Sequence, residues 1–195
     1  MISINIRKNI TKVNHTIYKN RKIEYLVLHY YGALGTAEAN TRYFKEIYRG
    51  ASAHYFVDEL GVWQAVEDEN AAWHCGDKGQ GEYKGVCRNA NSIGIEMRPD
   101  KMDRRSINSA DKDWYFHEFT IDHTIELVKH LMVKYDIPVE RVIRHYDVTA
   151  KYCPRPFVGD DINTYYNKTG NQLWAEFRRK LTVEEEDVME GKRIY

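Results

Sequence analysis

Hydrophobic residues in the first part of the chain fall into short runs and one helical pattern. Residues 23–31 (IEYLVLHYY) are mostly aliphatic or aromatic and stop at Gly32, which predicts a buried strand that ends at a loop. Thr36 suits the N-cap of a helix whose apolar positions recur at helical spacing as far as Gly50. The two apolar runs of SAHYFVDELGVWQAV flank a turn and indicate a β-hairpin. The chain therefore opens with a strand, a helix and a hairpin.

The remainder of the chain alternates between the same two patterns. Residues 93–97 (IGIEM) predict a short strand, and residues 121–135 predict a long helix with one apolar face. Residues 142–143 predict another short strand that ends near His145, and residues 173–181 predict a last amphipathic helix. This order of elements predicts a single-domain α/β fold with a mixed central sheet flanked by helices.

Two long segments lack periodicity and predict loops. Residues 70–92 hold four glycines, which is typical of a long surface loop that carries function. Residues 100–113 are rich in charge and predict a solvated loop. The basic residues expected in solvent there are Lys101, Arg104, Arg105 and Lys112. One catalytic domain is expected over residues 1–195, with its core at about residues 20–182 and a frayed acidic tail in residues 183–195.

Composition and charge exclude several classes of protein. The 195 residues hold 29 basic and 29 acidic side chains, so a net charge of zero disfavours nucleic acid as a partner. No apolar stretch approaches the roughly twenty residues of a membrane span, so membrane insertion is not expected. The polar, basic start of the sequence lacks the apolar segment of a secretory signal, which predicts synthesis in the cytoplasm. Three cysteines are too few for a disulfide scaffold and favour a metal site or a catalytic thiol.

Three candidate metal ligands lie near the ends of predicted strands. His29 closes the first buried strand, while His145 and Cys153 bracket the loop after the last strand. Two imidazoles and a thiolate are ligands that zinc prefers, and three protein ligands leave the fourth position for water. The arrangement suits a catalytic zinc ion, although each histidine alone could equally be a core or surface residue.

Five tracts together carry a resemblance to a known family. In chain order they are EYLVLHYYG, SAHYFVDELGVWQAV, AAWHCGD, NSIGIEM and IRHYDVTAKYCPRPF. They resemble the zinc-dependent N-acetylmuramoyl-L-alanine amidases of the amidase-2 family, which is also called the T7 lysozyme and peptidoglycan-recognition-protein superfamily. The resemblance runs from about residue 23 to residue 181. It implies hydrolysis of the amide bond between N-acetylmuramic acid and L-alanine in peptidoglycan.

The resemblance also implies roles for individual residues. His29, His145 and Cys153 match the zinc ligands, Glu96 matches a carboxylate that faces the metal, and Lys151 matches a lysine near the metal. Amide hydrolysis requires the same types of residue. Zinc lowers the pKa of bound water to around 7, and a carboxylate can move the proton of that water to the leaving amine. A cation such as Lys151 can stabilise the developing oxyanion.

Six further residues are assigned from their positions in the tracts. His54 stands where several family members place a tyrosine that faces the metal, so we expect His54 to contact substrate or transition state and Tyr55 to pack in the core. The pair Trp73 and His74 matches an element of the family's groove, which implies a substrate-binding wall, while an exposed loop histidine is the equal alternative for His74. Cys75 and Cys87 allow a disulfide, two free thiols or a second metal site with His74, and cytoplasmic synthesis favours free thiols.

Alternatives of other classes remain open from the sequence. One is a recognition module that binds peptidoglycan without cutting it, although Cys153 favours the enzyme because such relatives usually lack the cysteine. A second is a zinc peptidase that cuts elsewhere in the stem peptide, and a third is an interaction protein. Compact size and cytoplasmic synthesis suggest a phage or prophage endolysin that reaches the cell wall after holin-dependent release. The chain can also be the catalytic domain of a longer lysin.

Overall fold

A computed structural model describes residues 4–76 and 79–182 of the chain. Six strands form one mixed sheet in the order β1-β4-β3-β5-β2-β8, and two further pairs, β6-β7 and β9-β10, are antiparallel. The strands are β1 Ile6–Lys8, β2 Tyr25–Tyr30, β3 Tyr55–Asp58, β4 Gly61–Gln64, β5 Ser92–Met97, β6 Pro99–Lys101, β7 Trp114–Phe116, β8 Val142–Arg144, β9 Ile162–Asn163 and β10 Lys168–Thr169. The described helices are α1 Ala37–Lys45, α2 Glu118–Tyr135, α3 His145–Thr149 and α4 Gly170–Thr182. The predicted α/β fold with a mixed central sheet is confirmed.

The centre of the sheet is parallel. Strand β2 lies between β5 and β8 and is parallel to both, and β5 is also parallel to β3. All six residues of β2 are buried, which explains its nearly continuous apolar sequence, since a strand covered on both faces needs no polar side. The predicted hairpin is confirmed as the antiparallel pair β3 and β4.

The two faces of the sheet are covered differently. On one face Leu26 and Leu28 of β2 pack with residues of α2 and α4 in the main hydrophobic core. On the other face, Val27 packs with the two cysteines of the 70–92 segment and with Val148 of α3. His29 follows Val27 by two residues and therefore points to this second face. The site described below lies there, under the 70–92 segment and beside α3.

Several predicted boundaries shift. The Thr36 side chain accepts a hydrogen bond from the Ala39 amide at 3.1 Å, as an N-cap should, but α1 ends at Lys45, before Gly50. The segment at residues 70–92 is not a surface loop throughout, because Cys75 and Cys87 are buried against the sheet.

The prediction of a solvated loop at residues 100–113 is also corrected, for Lys101. It is bordered by paired strands β6 and β7, and Lys101 in β6 is 3% exposed. Its ammonium lies 2.9 Å from Asp111 and 2.6 Å from Asp113. Lys101 therefore holds a turn together and is not in solvent. The predicted tail at residues 183–195 lies outside the described residues, and among those that are described no helix is long and apolar enough to cross a membrane.

Candidate active site

The carboxyl ends of three parallel neighbours meet at one edge of the central sheet. His29 is the fifth of six residues in β2, and Glu96 is its direct partner in β5. His145 follows the last residue of β8, on the other side of β2. Open sheets of this kind bind ligands outside the carboxyl ends of their strands. Residues far apart in sequence thus come together because their strands are adjacent and parallel.

His29, His145 and Cys153 form the ligand cluster of this site. One nitrogen of each imidazole and the thiol sulfur all lie within 4.8 Å of one another. His29 Nδ1 is 3.8 Å from Cys153 Sγ. Tetrahedral zinc with ordinary Zn–N and Zn–S bonds would hold such atoms about 3.6 Å apart. The separation and the atom types therefore fit a zinc ion.

The hydrogen bonding of the ligand cluster points to the same conclusion. His145 Nδ1 is buried and has no hydrogen-bond partner among the described residues. A buried polar atom left without a partner is costly, and a metal ion held beside Cys153 and His29 would satisfy this one. His145 Nδ1 is therefore a ring nitrogen available to a metal.

Burial sets the protonation of the ligand cluster. Burial, with the neighbouring His145 and His74, holds the pKa of His29 well below its usual value. Burial and the Lys151 charge lower the pKa of His145 to about 4. Both imidazoles are therefore neutral at pH 7, with lone pairs free to bind a metal. Burial raises the pKa of the Cys153 thiol, so metal binding there must release its proton.

Local sequence fixes His145 and Cys153 in place. Asp147 accepts a hydrogen bond from the Arg144 amide at 2.8 Å, which caps α3 so that the helix begins at His145. The Arg144 guanidinium pairs with the same carboxylate at 2.7 Å. The Tyr146 amide donates to the Cys153 carbonyl at 2.8 Å, which folds the loop back onto the helix start. The motif HYDVTAKYC therefore brings its own first and last residues together.

Glu96 presents a carboxylate beside the ligand cluster. Its Oε2 atom is buried without a hydrogen-bond partner among the described residues. Burial raises the pKa of Glu96 to about 7, an effect that the nearby Lys151 charge opposes. A carboxyl group with a pKa near neutral can both accept and return a proton, which suits general acid–base chemistry.

Lys151 is exposed and stands where two clefts adjoin. Its charge lowers the pKa of Glu96 and of both imidazoles of the ligand cluster, which shows that the ammonium lies close to them. One cleft, of about 550 Å³, is lined by Gly50, Trp73, His74, Cys75, Gly76, Asn89, His145, Thr149, Ala150 and Lys151. The second, of about 510 Å³, is lined by Tyr30, Tyr31, Gly32, Ser109, Ala110, Lys112, Lys151, Tyr152, Arg155 and Asp161. An extended ligand could occupy both sides of Lys151.

The structure does not place His54 where a substrate could touch it. The side chain is 0% exposed and both ring nitrogens are hydrogen-bonded. The Gly94 amide donates to Nδ1 at 3.0 Å, and Nε2 lies 3.1 Å from the Asn70 carbonyl. Burial and the Arg21 charge lower the pKa of His54 to about 3, so the ring is neutral. The structure places His54 behind the site, where its hydrogen bonds support the sheet, and the substrate contact stays a prediction.

Tyr55, the neighbour of His54, packs in the core as expected. Its ring is 2% exposed in the main core, and its hydroxyl donates to Asp68 at 2.6 Å. Adjacent strand residues point to opposite faces, so His54 lies on the face that carries His29.

Trp73 and His74 both line the first cleft. The Trp73 indole donates to Thr16 at 2.8 Å and its ring lies edge-on to Tyr48. His74 differs, because its ring also reaches inward and its Nδ1 lies 3.0 Å from His29 Nε2. It is therefore a neighbour of the ligand cluster as well as part of the cleft wall.

The other two cysteines are free thiols in the structure. Cys75 and Cys87 are buried, and their sulfur atoms are 4.0 Å apart. Cys75 Sγ also lies 3.2 Å from His74 Nδ1, and Cys75, His74 and His29 form a second group whose donor atoms lie within 4.8 Å of one another.

Sequence reasoning missed the residues that support this face of the sheet. Arg21 donates to the carbonyls of Asn70 and Ser92 and so ties the 70–92 segment to the sheet. Ser92 and Asn89 bond to His74. Nothing in the local sequence distinguishes these residues, because their partners are set by packing between distant segments.

Comparison with known proteins identifies the family of the chain. The family model Amidase_2, described as N-acetylmuramoyl-L-alanine amidase, matches residues 19–156. The amidase CwlL of Bacillus licheniformis is 31% identical over 192 residues, which cover 92% of this chain and 50% of that protein. The amidase BlyA of Bacillus subtilis is 32% identical over 197 residues, which cover 95% of this chain and 47% of that protein. The chain thus spans about half the length of these curated relatives.

A solved structure shares the fold. The structure of PlyL superposes with a TM-score of 0.68 at 23% identity and covers 92% of this chain and 98% of that chain. The family match covers well over half of the chain, from before β2 to the residues just after Cys153. This chain belongs to the Amidase_2 family of N-acetylmuramoyl-L-alanine amidases.

Proposed function

We propose that this chain hydrolyses the amide bond between N-acetylmuramic acid and L-alanine in bacterial peptidoglycan, with zinc held by His29, His145 and Cys153. The observation that carries the proposal is the pair of buried, unpartnered atoms, His145 Nδ1 in a ligand cluster that fits zinc and Glu96 Oε2 beside it. Membership of the Amidase_2 family supplies the bond that is cut. The names of CwlL and BlyA state the same activity for proteins that match nearly all of this chain.

Each residue has a defined task in this reaction. Zinc, when bound, polarises the amide carbonyl and lowers the pKa of a bound water to around 7. Glu96 accepts a proton from the attacking water and passes it to the nitrogen of L-alanine as the C–N bond breaks, which frees the amine and leaves a carboxyl group on the muramic acid. The Lys151 ammonium faces the negative charge that develops on the carbonyl oxygen.

The clefts fit a polymeric substrate. They adjoin at Lys151, so one can receive the glycan side of the bond and the other the stem peptide. Trp73 offers an aromatic surface in the first cleft. The proposed partner is therefore the cell wall, contacted through muramic acid and the first residues of the stem peptide.

Digestion of purified peptidoglycan by the zinc-loaded protein tests the proposal. The expected products are new L-alanine amino termini, identified by amino-terminal labelling and mass spectrometry, without new reducing sugar ends. The matched control is Glu96→Gln, which keeps the shape of the side chain. New amino termini from a residue further along the stem would make the protein an endopeptidase. Wall binding without new termini of any kind would make it a recognition module.

A further inference from the structure

The metal ligand His29 uses its two ring nitrogens in different directions. Nδ1 faces Cys153 Sγ at 3.8 Å, within the ligand cluster. Nε2 faces away from it and lies 3.0 Å from His74 Nδ1, which is a good hydrogen-bond distance. A ring bound to metal through Nδ1 carries its proton on Nε2, so His29 is the donor and His74 the acceptor.

The bonding continues beyond His74 in one consistent direction. With Nδ1 as acceptor, neutral His74 carries its proton on Nε2, which lies 3.2 Å from Ser92 Oγ. The Ser92 hydroxyl in turn donates to the Arg88 carbonyl at 2.6 Å. Each donor in the series His29, His74 and Ser92 therefore has one acceptor, and the last acceptor is a backbone oxygen. Only one tautomer of each ring satisfies every link.

The position of His74 is itself tightly fixed. Its ring lies directly on the backbone of Gly94, where an added Cβ would come within 2.5 Å of His74 Cγ. The amides of His74 and Cys75 both donate to Asn89 Oδ1, at 3.0 and 2.8 Å. Because Gly94 has no side chain, the His74 ring can approach the sheet. The hydrogen bonds to Asn89 fix the position of the His74 backbone. These contacts place Nδ1 where His29 can reach it.

We propose that His74 is a positioning residue, which orients the zinc ligand His29 and fixes its tautomer through the series from His29 Nε2 to the Arg88 carbonyl. The inference rests on the metal site of the proposed function but concerns a residue that does not touch the metal. Such outer-shell partners raise the basicity of the ligand and restrict its rotation, and their loss typically costs about 10- to 100-fold in metal affinity. The structure thereby gives His74 a role different from a simple cleft wall.

The nearby cysteine provides the competing explanation. Cys75 Sγ is 3.2 Å from His74 Nδ1, and these two residues together with His29 could in principle hold a metal of their own. In that case His29 Nε2 would be a ligand and not a donor. The two arrangements predict different numbers of metal ions for each chain, so a measurement of stoichiometry separates them.

Zinc affinity of the folded chain tests the inference directly. Competition with a chromogenic chelator should show that His74→Ala binds zinc about 10- to 100-fold more weakly than the parent. His74→Asn should recover most of that loss, because the asparagine amide oxygen can take the place of Nδ1 as acceptor. Ser92→Ala should show a smaller loss in the same direction. His123→Gln is the control, because His123 bonds to the Asp58 carbonyl from α2, which packs on the opposite face of the sheet.

Further readouts separate positioning from a purely structural effect. Loss of packing alone would lower the thermal midpoint of the metal-free protein but leave the zinc affinity of the folded fraction unchanged, and asparagine would then not restore affinity. The visible absorption of the cobalt-loaded protein should shift in His74→Ala, since the geometry of a ligand changes. If His74→Ala does not fold, Ser92→Ala decides the matter by the same affinity measurement.

Three results would overturn the inference. Unchanged zinc affinity in the folded His74→Ala and Ser92→Ala variants would show that the series does not support His29. Two zinc ions for each chain, with one lost in Cys75→Ser, would establish the second metal site instead. A parent that binds no zinc would remove this inference together with the zinc of the proposed function, whereas tight binding in parent and variants alike would remove this inference alone.

Discussion

Two groups of histidines lie side by side on one face of the central sheet, and their hydrogen bonding differs. In the ligand cluster, His145 Nδ1 has no partner among the described residues, and the neighbouring Glu96 also holds an unpartnered oxygen. Behind it, His54 and His74 have both ring nitrogens in hydrogen-bonding contact. All four rings have a lowered pKa with burial as the main cause, so burial alone does not distinguish the two groups.

We infer from this difference which histidines receive a ligand and which support it. A buried polar atom with no partner raises the free energy of the folded protein unless something binds there. His29 Nδ1 contacts only the Cys153 thiol, a contact within the ligand cluster that a metal ion would replace. Both ring nitrogens of His54 and both of His74 are used to hold the structure around the cluster. The contrast assigns chemistry to the ligand cluster and Glu96, and support to His54 and His74. The predictions below test that division, beginning with the largest expected effect.

Cys153→Ala should abolish hydrolysis of peptidoglycan, because it removes one of three proposed zinc ligands. Zinc binding worth about 10–16 kcal/mol over three or four ligands implies that loss of one weakens affinity by at least about 10²-fold. Zinc content after dialysis and release of L-alanine termini measure the effect. Cys87→Ser is the matched control, because that buried thiol lies outside the ligand cluster. A Cys153→Ala protein that keeps zinc would assign the metal to other residues.

Glu96→Gln should keep zinc but lose about 10²- to 10⁴-fold in turnover, since the amide cannot accept the proton of the attacking water. The measurement is kcat for release of L-alanine termini, with zinc content determined on the same sample. Glu126→Gln, at an exposed position of α2, is the control. Parental turnover in Glu96→Gln would mean that the unpartnered carboxylate is not the base.

Lys151→Ala should reduce kcat by about 10²- to 10³-fold and leave KM nearly unchanged, because the ammonium meets charge that exists only in the transition state. Lys151→Arg keeps the charge and should retain most of the activity. Steady-state kinetics on a soluble muropeptide separate the two constants. An increase confined to KM would make Lys151 a residue that docks the substrate.

His54→Ala should act on stability and not on the substrate. It removes the acceptor of the Gly94 amide, which is worth about 1–3 kcal/mol when that amide is left buried and unpaired, whereas the Asn70 carbonyl keeps its hydrogen bond from Arg21. Urea unfolding should show the loss, while KM of the folded protein stays close to that of the parent. A large rise in KM without loss of stability would restore His54 as a substrate contact.

Glu96→Gln should also change how stability depends on pH. Burial raises the pKa of Glu96 from 4.5 to about 7, so the favourable protonated state is fully present below pH 4.5 and is lost as pH rises through 7. Above pH 7, glutamine avoids this loss, and the metal-free variant should be more stable than the metal-free parent by roughly 1–3 kcal/mol. Urea unfolding with a chelator at pH 4.5 and pH 8 measures the difference. An equal gain in stability at pH 4.5 and pH 8 would contradict the raised pKa of Glu96.

The sequence by itself determined the elements and the chemistry of the ligand cluster. Strand β2, the hairpin and α2 follow from apolar spacing, which is a local property of the chain. His29, Glu96 and the HYDVTAKYC motif lie at strand ends or within one short segment. Parallel strands that are adjacent in a sheet bring such ends together. The resemblance to the amidase family, more than any local pattern, predicted that these residues meet.

The tertiary structure alone decided the roles that depend on contacts between distant segments. Lys101 is buried because Asp111 and Asp113 fold back onto it. His54 is enclosed because Arg21 and Asn70 close over it. His74 reaches His29 because Gly94 has no side chain beneath its ring. A charge or a histidine has the same local sequence signal whether it meets solvent, substrate or protein, and only packing selects among the three.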